Sequence, residues 1–186
     1  MRTGGLNRYA TDLAREQAKE NSVAVLMPGG WRPWCRVCNI RYRGEVDGLK
    51  CFHLRNAEPL PLLYGIRHPK NFAGYPINKE SFENFYNEFK PGVLHLHTLM
   101  GLPEEALRFF KEKGVRIVYT SHDYFGICPK VNIINQQGEL CVGPTPERCA
   151  ACNMKAPSTL FLRLRNCGMA FKTRDIVRWL KNTLRF

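Results

Sequence analysis

What this sequence lacks narrows its function first. It has no run of about eighteen apolar residues, so no segment reads as a membrane-spanning helix. It has no apolar core behind Arg2, only Thr3 and two glycines, so no secretory leader is expected and the chain is expected in the cytoplasm. Acids are scarce: 16 Asp and Glu face 28 Lys and Arg, a formal net charge of +12 that favours anionic partners. From Ala156 to Phe186 only Asp175 opposes seven basic residues. No internal repeat is visible. Apolar residues are not lacking: 44% hydrophobic and 11% aromatic content excludes a disordered chain, and 186 residues suffice for one domain with a real core. Eight cysteines in a reducing compartment point to thiols or metal ligands before disulfides.

Periodicity predicts an amphipathic helix from Leu6 to about Asn21 and a short strand over Val23–Met27 closed by Pro28-Gly29-Gly30. Asp47-Gly48, between Ile40–Arg43 and Leu49–Leu54, signals a hairpin. Phe82, Phe85, Tyr86 and Phe89 predict a helix that Pro91-Gly92 ends. The clearest unit follows. Strand Val93–Thr98 leads to a helix opened by Pro103-Glu104-Glu105 and stopped by Gly114, and Val115–Thr120 is the next strand. A βαβ unit of this kind implies parallel strands and a right-handed crossover. The expected fold class is therefore α/β, a Rossmann-like parallel sheet with flanking helices. One domain spans 1–186, with a Cys-rich loop insertion over 123–157 and a basic helical tail over 158–186.

In open parallel sheets, ligands bind at the carboxyl ends of the strands. Two strand ends here carry polar groups: His97-Thr98, and Ser121-His122-Asp123. His122 can exchange a proton near neutral pH without a large shift, and Asp123 can orient it or bind a hydroxyl. The plainer reading leaves His122 on a backbone carbonyl and Asp123 capping a turn. His95, further into the sheet, reads as a satisfied core histidine. Gly4-Gly5, leading into the first helix, lets phosphate approach backbone N–H groups at the positive end of the helix dipole. The pair lacks the third glycine of a dinucleotide fingerprint and the lysine of a P-loop.

Taken together, "GGLNRYATDLAREQAKE", "KPGVLHLHTLMGLPEEAL" and "GVRIVYTSHDYFGICPK" resemble the N-terminal half of a GT-B glycosyltransferase of family 4, the retaining class dependent on sugar nucleotides. "GELC" followed by "CAAC" is similar to a cysteine-bearing insertion in one branch of these enzymes. The resemblance implies one half of a GT-B fold: an acceptor-side domain facing a second, donor-binding domain. By position, it places Gly4 and Gly5 at the donor diphosphate and His97 and Thr98 on the acceptor side. His122 and Asp123 become the candidate catalytic residues. The implied partners are a nucleotide sugar, a saccharide or lipid-linked acceptor, and a separate C-terminal GT-B half. No cofactor is required for catalysis. The family begins with a strand that feeds the glycine loop, whereas only Met1 to Thr3 precede that loop here. Its absence would leave two strands unpaired along an edge. The second domain's Glu-x7-Glu pair is matched by Glu80/Glu88, Glu104/Glu112 and Glu139/Glu147, each in the wrong context. The expectation is a fragment or shortened reading frame with little transferase activity alone.

Cys128, Cys141, Cys149 and Cys152, spaced C-x12-C-x7-C-x2-C, suit a tetrahedral structural zinc site; the alternative is free thiols in a packed loop. Cys35-x2-Cys38 reads as a half-site or redox pair without the helix a thioredoxin-like motif needs, and Cys51 and Cys167 as buried thiols. The final basic helix, Thr173–Leu184, reads as packed on the domain, with peripheral contact to an anionic membrane as the sharper alternative. Against the transferase stands a non-enzymatic, basic, zinc-stabilised module for nucleic acid or another anion. Its basic residues are scattered, with no aromatic-basic platform, so nucleic acid is the weaker expectation.

Overall fold

A computed structural model of the chain describes residues 5–61, 63, 65–68 and 75–167, and beyond them residues 170, 173, 176, 177, 180 and 183. The amphipathic N-terminal segment forms α1 (Gly5–Gln17), and β1 (Ala24–Pro28) follows. Strands β2 (Asn39–Val46) and β3 (Leu49–Arg55) form the expected hairpin. Asp47 and Gly48 both take positive φ (53° and 76°), the type I′ geometry whose twist matches the flanking strands. The side chain of Asn78 caps α2 (Lys79–Phe89) by accepting from the Ser81 N–H, and Lys90 in the left-handed region ends it.

The βαβ unit consists of β4 (Val93–Leu96), α3 (Glu104–Glu112) and β5 (Arg116–Tyr119). Pro103 is the residue before this helix rather than its first, and its ring offers no side-chain cap. Strands β4 and β5 pair in parallel, with His95 opposite Val118. The 123–157 stretch, expected to be loop, contains a further helix, α4 (Pro146–Asn153), capped by the Thr145 hydroxyl. A short α5 (Thr159–Arg165) follows, capped by Ser158. The tail residues 170, 173, 176, 177, 180 and 183 are helical. Ile176, Val177 and Leu180 stay about half exposed, so this apolar stripe is not the packed face expected of it.

Parallel pairing is divided between two sheets rather than running through one. One sheet has the order β1-β3-β2, with β1 parallel and β2 antiparallel to β3; the other is β4-β5. Among the described strands β1 pairs only with β3 and β4 only with β5, so each has one edge without a strand partner. A single core nevertheless joins the two. Ile40, Phe52 and Leu54 from the hairpin meet Phe82 and Phe85 of α2 and Phe110 of α3, with Leu26 and Leu94 packed against them. Edge-to-face rings, such as Phe52–Phe85 at 5.0 Å, lock the contact. The carboxyl ends of the two parallel pairs also meet. Gly101, φ 82°, follows β4 and lies against Pro28 at the end of β1, where an added Cβ would come within 2.9 Å of the Pro28 ring. The result is a Rossmann-like mixed α/β fold with parallel strand pairs, flanking helices and one shared carboxyl-end rim.

Candidate functional site

At that rim the two polar strand tips join. His95 and His97 alternate onto one face of β4 and its extension, with ring centroids 4.3 Å apart. His95 Nε2 lies 2.8 Å from Thr120 Oγ1, so this half-buried ring is satisfied, as expected for it. One strand over, His122 is exposed, and its Nε2 lies 3.4 Å from His97 Nδ1. The pair forms across two strands, from residues 25 positions apart in sequence. Such a contact requires that one of the two ring nitrogens carry the proton. Burial first, then the neighbouring His95 and His122, lower the pKa of His97 below the usual histidine value. His97 is thereby biased towards the neutral form.

Asp123 does not orient His122. One carboxylate oxygen accepts from the Phe125 N–H at 2.9 Å, a local turn, and the other accepts from the Thr98 hydroxyl at 3.4 Å. The Ser121 hydroxyl donates to the Asp123 carbonyl. Asp123 therefore ties the second strand tip to the first through Thr98, and the group oriented against His122 is His97.

The first helix reaches the same place. Tyr9 stands edge-on to both imidazoles, its ring centroid 4.9 Å from that of His122 and 5.7 Å from that of His97. Gly5 opens α1 one turn before Tyr9 and therefore on the same face, and a Cβ added to it would meet nothing within 4 Å. Gly4 lies outside the described residues. At its other end, α1 is tied to the β2–β3 turn by the Arg15–Asp47 ion pair. Sequence reasoning missed Tyr9. The one available signal was an aromatic four residues after Gly5, inside the helix predicted from Leu6.

The four cysteines of the insertion sit on three segments. Cys128 closes a turn onto the Tyr124 carbonyl, and Cys141 N–H donates to the Ile133 carbonyl at the end of a small hairpin. Cys149 and Cys152 share a face of α4 at i, i+3 spacing. The Gln136 amide, at the hairpin tip, donates to the carbonyls of Ala151 and Cys152. Burial first, then Cys128, Cys141 and Cys152, push the Cys149 thiol up, so all three neighbours lie within electrostatic reach of it. Among the described residues no three His, Cys, Asp or Glu side chains are placed as a metal-holding group. None of the eight cysteines is in a disulfide.

The Cys35/Cys38 pair is not a reactive dithiol. Cys38 is fully buried, and burial, then Glu58 and Glu105, push its thiol to about 12. Such a group stays protonated and behaves as core. Cys51 and Cys167 are half-buried rather than fully enclosed. No helix among the described residues is long and apolar enough to cross a membrane.

A parallel α/β unit whose strand ends carry convergent histidines, a hydroxyl and a carboxylate, with a helix N-terminus beside them, belongs to the class that binds ligand at the sheet's carboxyl rim. The sequence profile of Glycosyltransferase Family 4 matches residues 3–137, and the chain belongs to that family. An "Uncharacterized 42.6 kDa protein in cps region" from Klebsiella pneumoniae is 29% identical over 82 residues, covering 44% of this chain and 22% of that protein. The chain thus aligns with less than a quarter of that relative's length. No solved structure matches.

Proposed function

We propose that this chain is the acceptor-side domain of a retaining GT-B glycosyltransferase. In this reading it helps transfer a sugar from a nucleotide-sugar donor to a saccharide or lipid-linked acceptor in polysaccharide synthesis. The observation that carries the proposal is the junction of His97, Thr98, His122 and Asp123 at one rim, beside the open first turn of α1. Backbone N–H groups at Gly5 and the positive helix end favour the donor diphosphate. Thr98 offers a hydroxyl to the acceptor, and His122 exchanges a proton with, or hydrogen-bonds, the reacting hydroxyl or sugar. Neutral His97 holds the His122 ring. The cps-region location of the relative supports polysaccharide as the product class.

Most of the donor contacts belong to a second domain. The test is a panel of sugar nucleotides and saccharide acceptors, offered to this chain alone and together with a donor-binding half. The proposal expects little turnover alone, transfer in the combination, and a loss of about 10²–10⁴-fold there for His122→Ala. Turnover by the chain alone would overturn the two-domain division of labour. An unchanged rate in His122→Ala would remove that residue from the chemistry.

A second reading, a basic module for anionic partners, has one observation in its favour. Arg55 lies among Arg32, Arg41 and Arg43, and burial together with these like charges lowers its pKa. Family membership and the polar rim favour the transferase. The half-exposed stripe of Ile176, Val177 and Leu180 supports peripheral contact with an anionic membrane.

A further inference from the structure

The loop that leaves β1 at the carboxyl rim is held so as to present a tryptophan. Asn56, fully buried just after β3, accepts from the Arg32 N–H at 2.7 Å and donates to the carbonyls of Cys35 and Val37. These bonds fix the segment from Arg32 to Val37, yet Trp34 within it is 78% exposed, with Arg32 and Arg36 on either side in sequence. The basic residues continue along the hairpin. In the β2–β3 register Asn39 lies opposite Arg55 and Arg41 opposite His53, so Arg41 and Arg55 share one face, and Arg43 follows Arg41 by two residues. Arg32, Arg41 and Arg43 all lie within electrostatic reach of Arg55. Among the described residues, none of Arg32, Arg36, Arg41, Arg43 and Arg55 forms an ion pair. The Trp31 N–H donates to the Asn166 carbonyl, which ties the loop to the end of α5, whose Leu160, Phe161 and Leu164 are at least half exposed.

We propose that this arginine–tryptophan lip docks the carboxyl rim on an anionic membrane surface, so that the sugar acceptor is lipid-linked. Charge complementarity selects the partner: guanidinium groups with no acid paired to them attract the negative surface of anionic lipids. An exposed indole flanked by arginines suits the headgroup level, where its apolar body and its N–H are both satisfied. The arginines of β2 and β3 stand on a two-stranded ribbon, a shape that suits an extended charged surface better than one small phosphate. The exposed apolar side chains of α5 add contact that a soluble polyanion would leave wet. Docked in this way, the rim that carries His97, Thr98 and His122 lies beside the plane in which a lipid-linked saccharide is held. The choice of acceptor rests on the transferase reading. The docking does not, since it requires no sugar chemistry.

The experiment is co-sedimentation of the protein with phosphatidylcholine vesicles, with and without phosphatidylglycerol, at low and high salt. The expected result is binding to the anionic vesicles alone, lost in high salt. Arg41→Gln combined with Arg43→Gln should weaken partitioning about 25-fold, about five-fold for each cation removed. Lys111→Gln combined with Arg116→Gln, which removes the same charge at the end of α3 and the start of β5, should bind like the parent. Trp34→Phe should lose the blue shift of tryptophan emission that anionic vesicles induce in the parent. All five side chains are exposed, so every variant keeps its core. Equal binding to neutral vesicles, unchanged binding in the Arg41/Arg43 variant, or an equal loss in the Lys111/Arg116 variant would overturn the proposal. So would preference for a soluble anionic polysaccharide or nucleic acid over the vesicles. With a donor-binding half added, transfer to a lipid-linked acceptor in these vesicles should exceed transfer to the same saccharide free in solution, and equal rates would overturn the acceptor assignment. Vesicle binding without any transfer would leave the docking standing and defeat the transferase reading.

Discussion

The phenol ring of Tyr9 stands edge-on to the imidazole of His122, with centroids 4.9 Å apart. One residue opens the story at the N-terminal helix and the other at the tip of β5, and their contact places the first turn of that helix beside the histidine pair. Removing the ring should therefore be felt at both imidazoles. In Tyr9→Ala the His97 and His122 ring resonances should shift, and the midpoint of His97 should move up towards the ordinary histidine value as burial is relieved. Tyr9→Phe should leave both nearly unchanged. An identical His97 titration in Tyr9→Ala and the parent would refute the contact.

The pH dependence of stability has a definite sign. His53 and His97 both have folded pKa values lowered, chiefly by burial and then by Arg43 and Arg55 for the first, and by His95 and His122 for the second. The unfolded chain binds their protons first as pH falls. The stability they contribute is thus present above the unfolded value of about 6.5 and is lost as pH drops through and below it. Urea midpoints measured between about pH 8 and about pH 5.5 should decline across that window, and the decline should shrink in the His53→Gln, His97→Gln double variant. A flat profile would contradict this assignment.

Core and cap substitutions separate by magnitude. Phe82 is fully enclosed and touches the rings of Phe109 and Phe110, so Phe82→Ala should cost about 3–5 kcal/mol. Asn78→Ala, which removes only the cap on the Ser81 N–H, should cost about 1 kcal/mol. Denaturant unfolding measures both, and equal effects would mean that α2 is not anchored through Phe82.

Asn153 ties the insertion to the body. Asn153→Ala would strand the Ile66 N–H, at about 1–3 kcal/mol, and should open residues 123–157 to protease before the rest of the chain. Gly65→Ala should do the same by another route, since a methyl there would overlap the Asn153 amide oxygen. Cleavage elsewhere first would show that the insertion does not hang on this residue.

Much of the fold was legible because local chemistry decided it. Asp47-Gly48 wrote its own turn, and Gly114 ended a helix where a left-handed residue was needed, while the helix expected to stop at Pro91-Gly92 ends just before them at Lys90. The polar residues at 97–98 and 121–123 announced the rim because a strand's end is visible where its apolar run stops. Helix α4, inside the stretch expected to be loop, escaped notice for a physical reason. With only Asn153 buried in α4 there is no apolar period to see, and its signal was the capping run Thr145-Pro146-Glu147 alone. Tyr9 over His122 and the division into two sheets depend on how distant segments pack, and no local pattern encodes either. Asp123 was legible as a polar tip residue, but its choice of Thr98 over His122 was settled only by the spacing of neighbouring strands.

A shared rim between the α1 turn and the β5 tip underlies the proposed function, and nuclear magnetic resonance during titration with a nucleoside diphosphate tests it most directly. The prediction is that the Gly5 amide and the His122 ring respond together along one saturation curve, with the Cys51 region unmoved. Movement of neither resonance, or of one without the other, would contradict it.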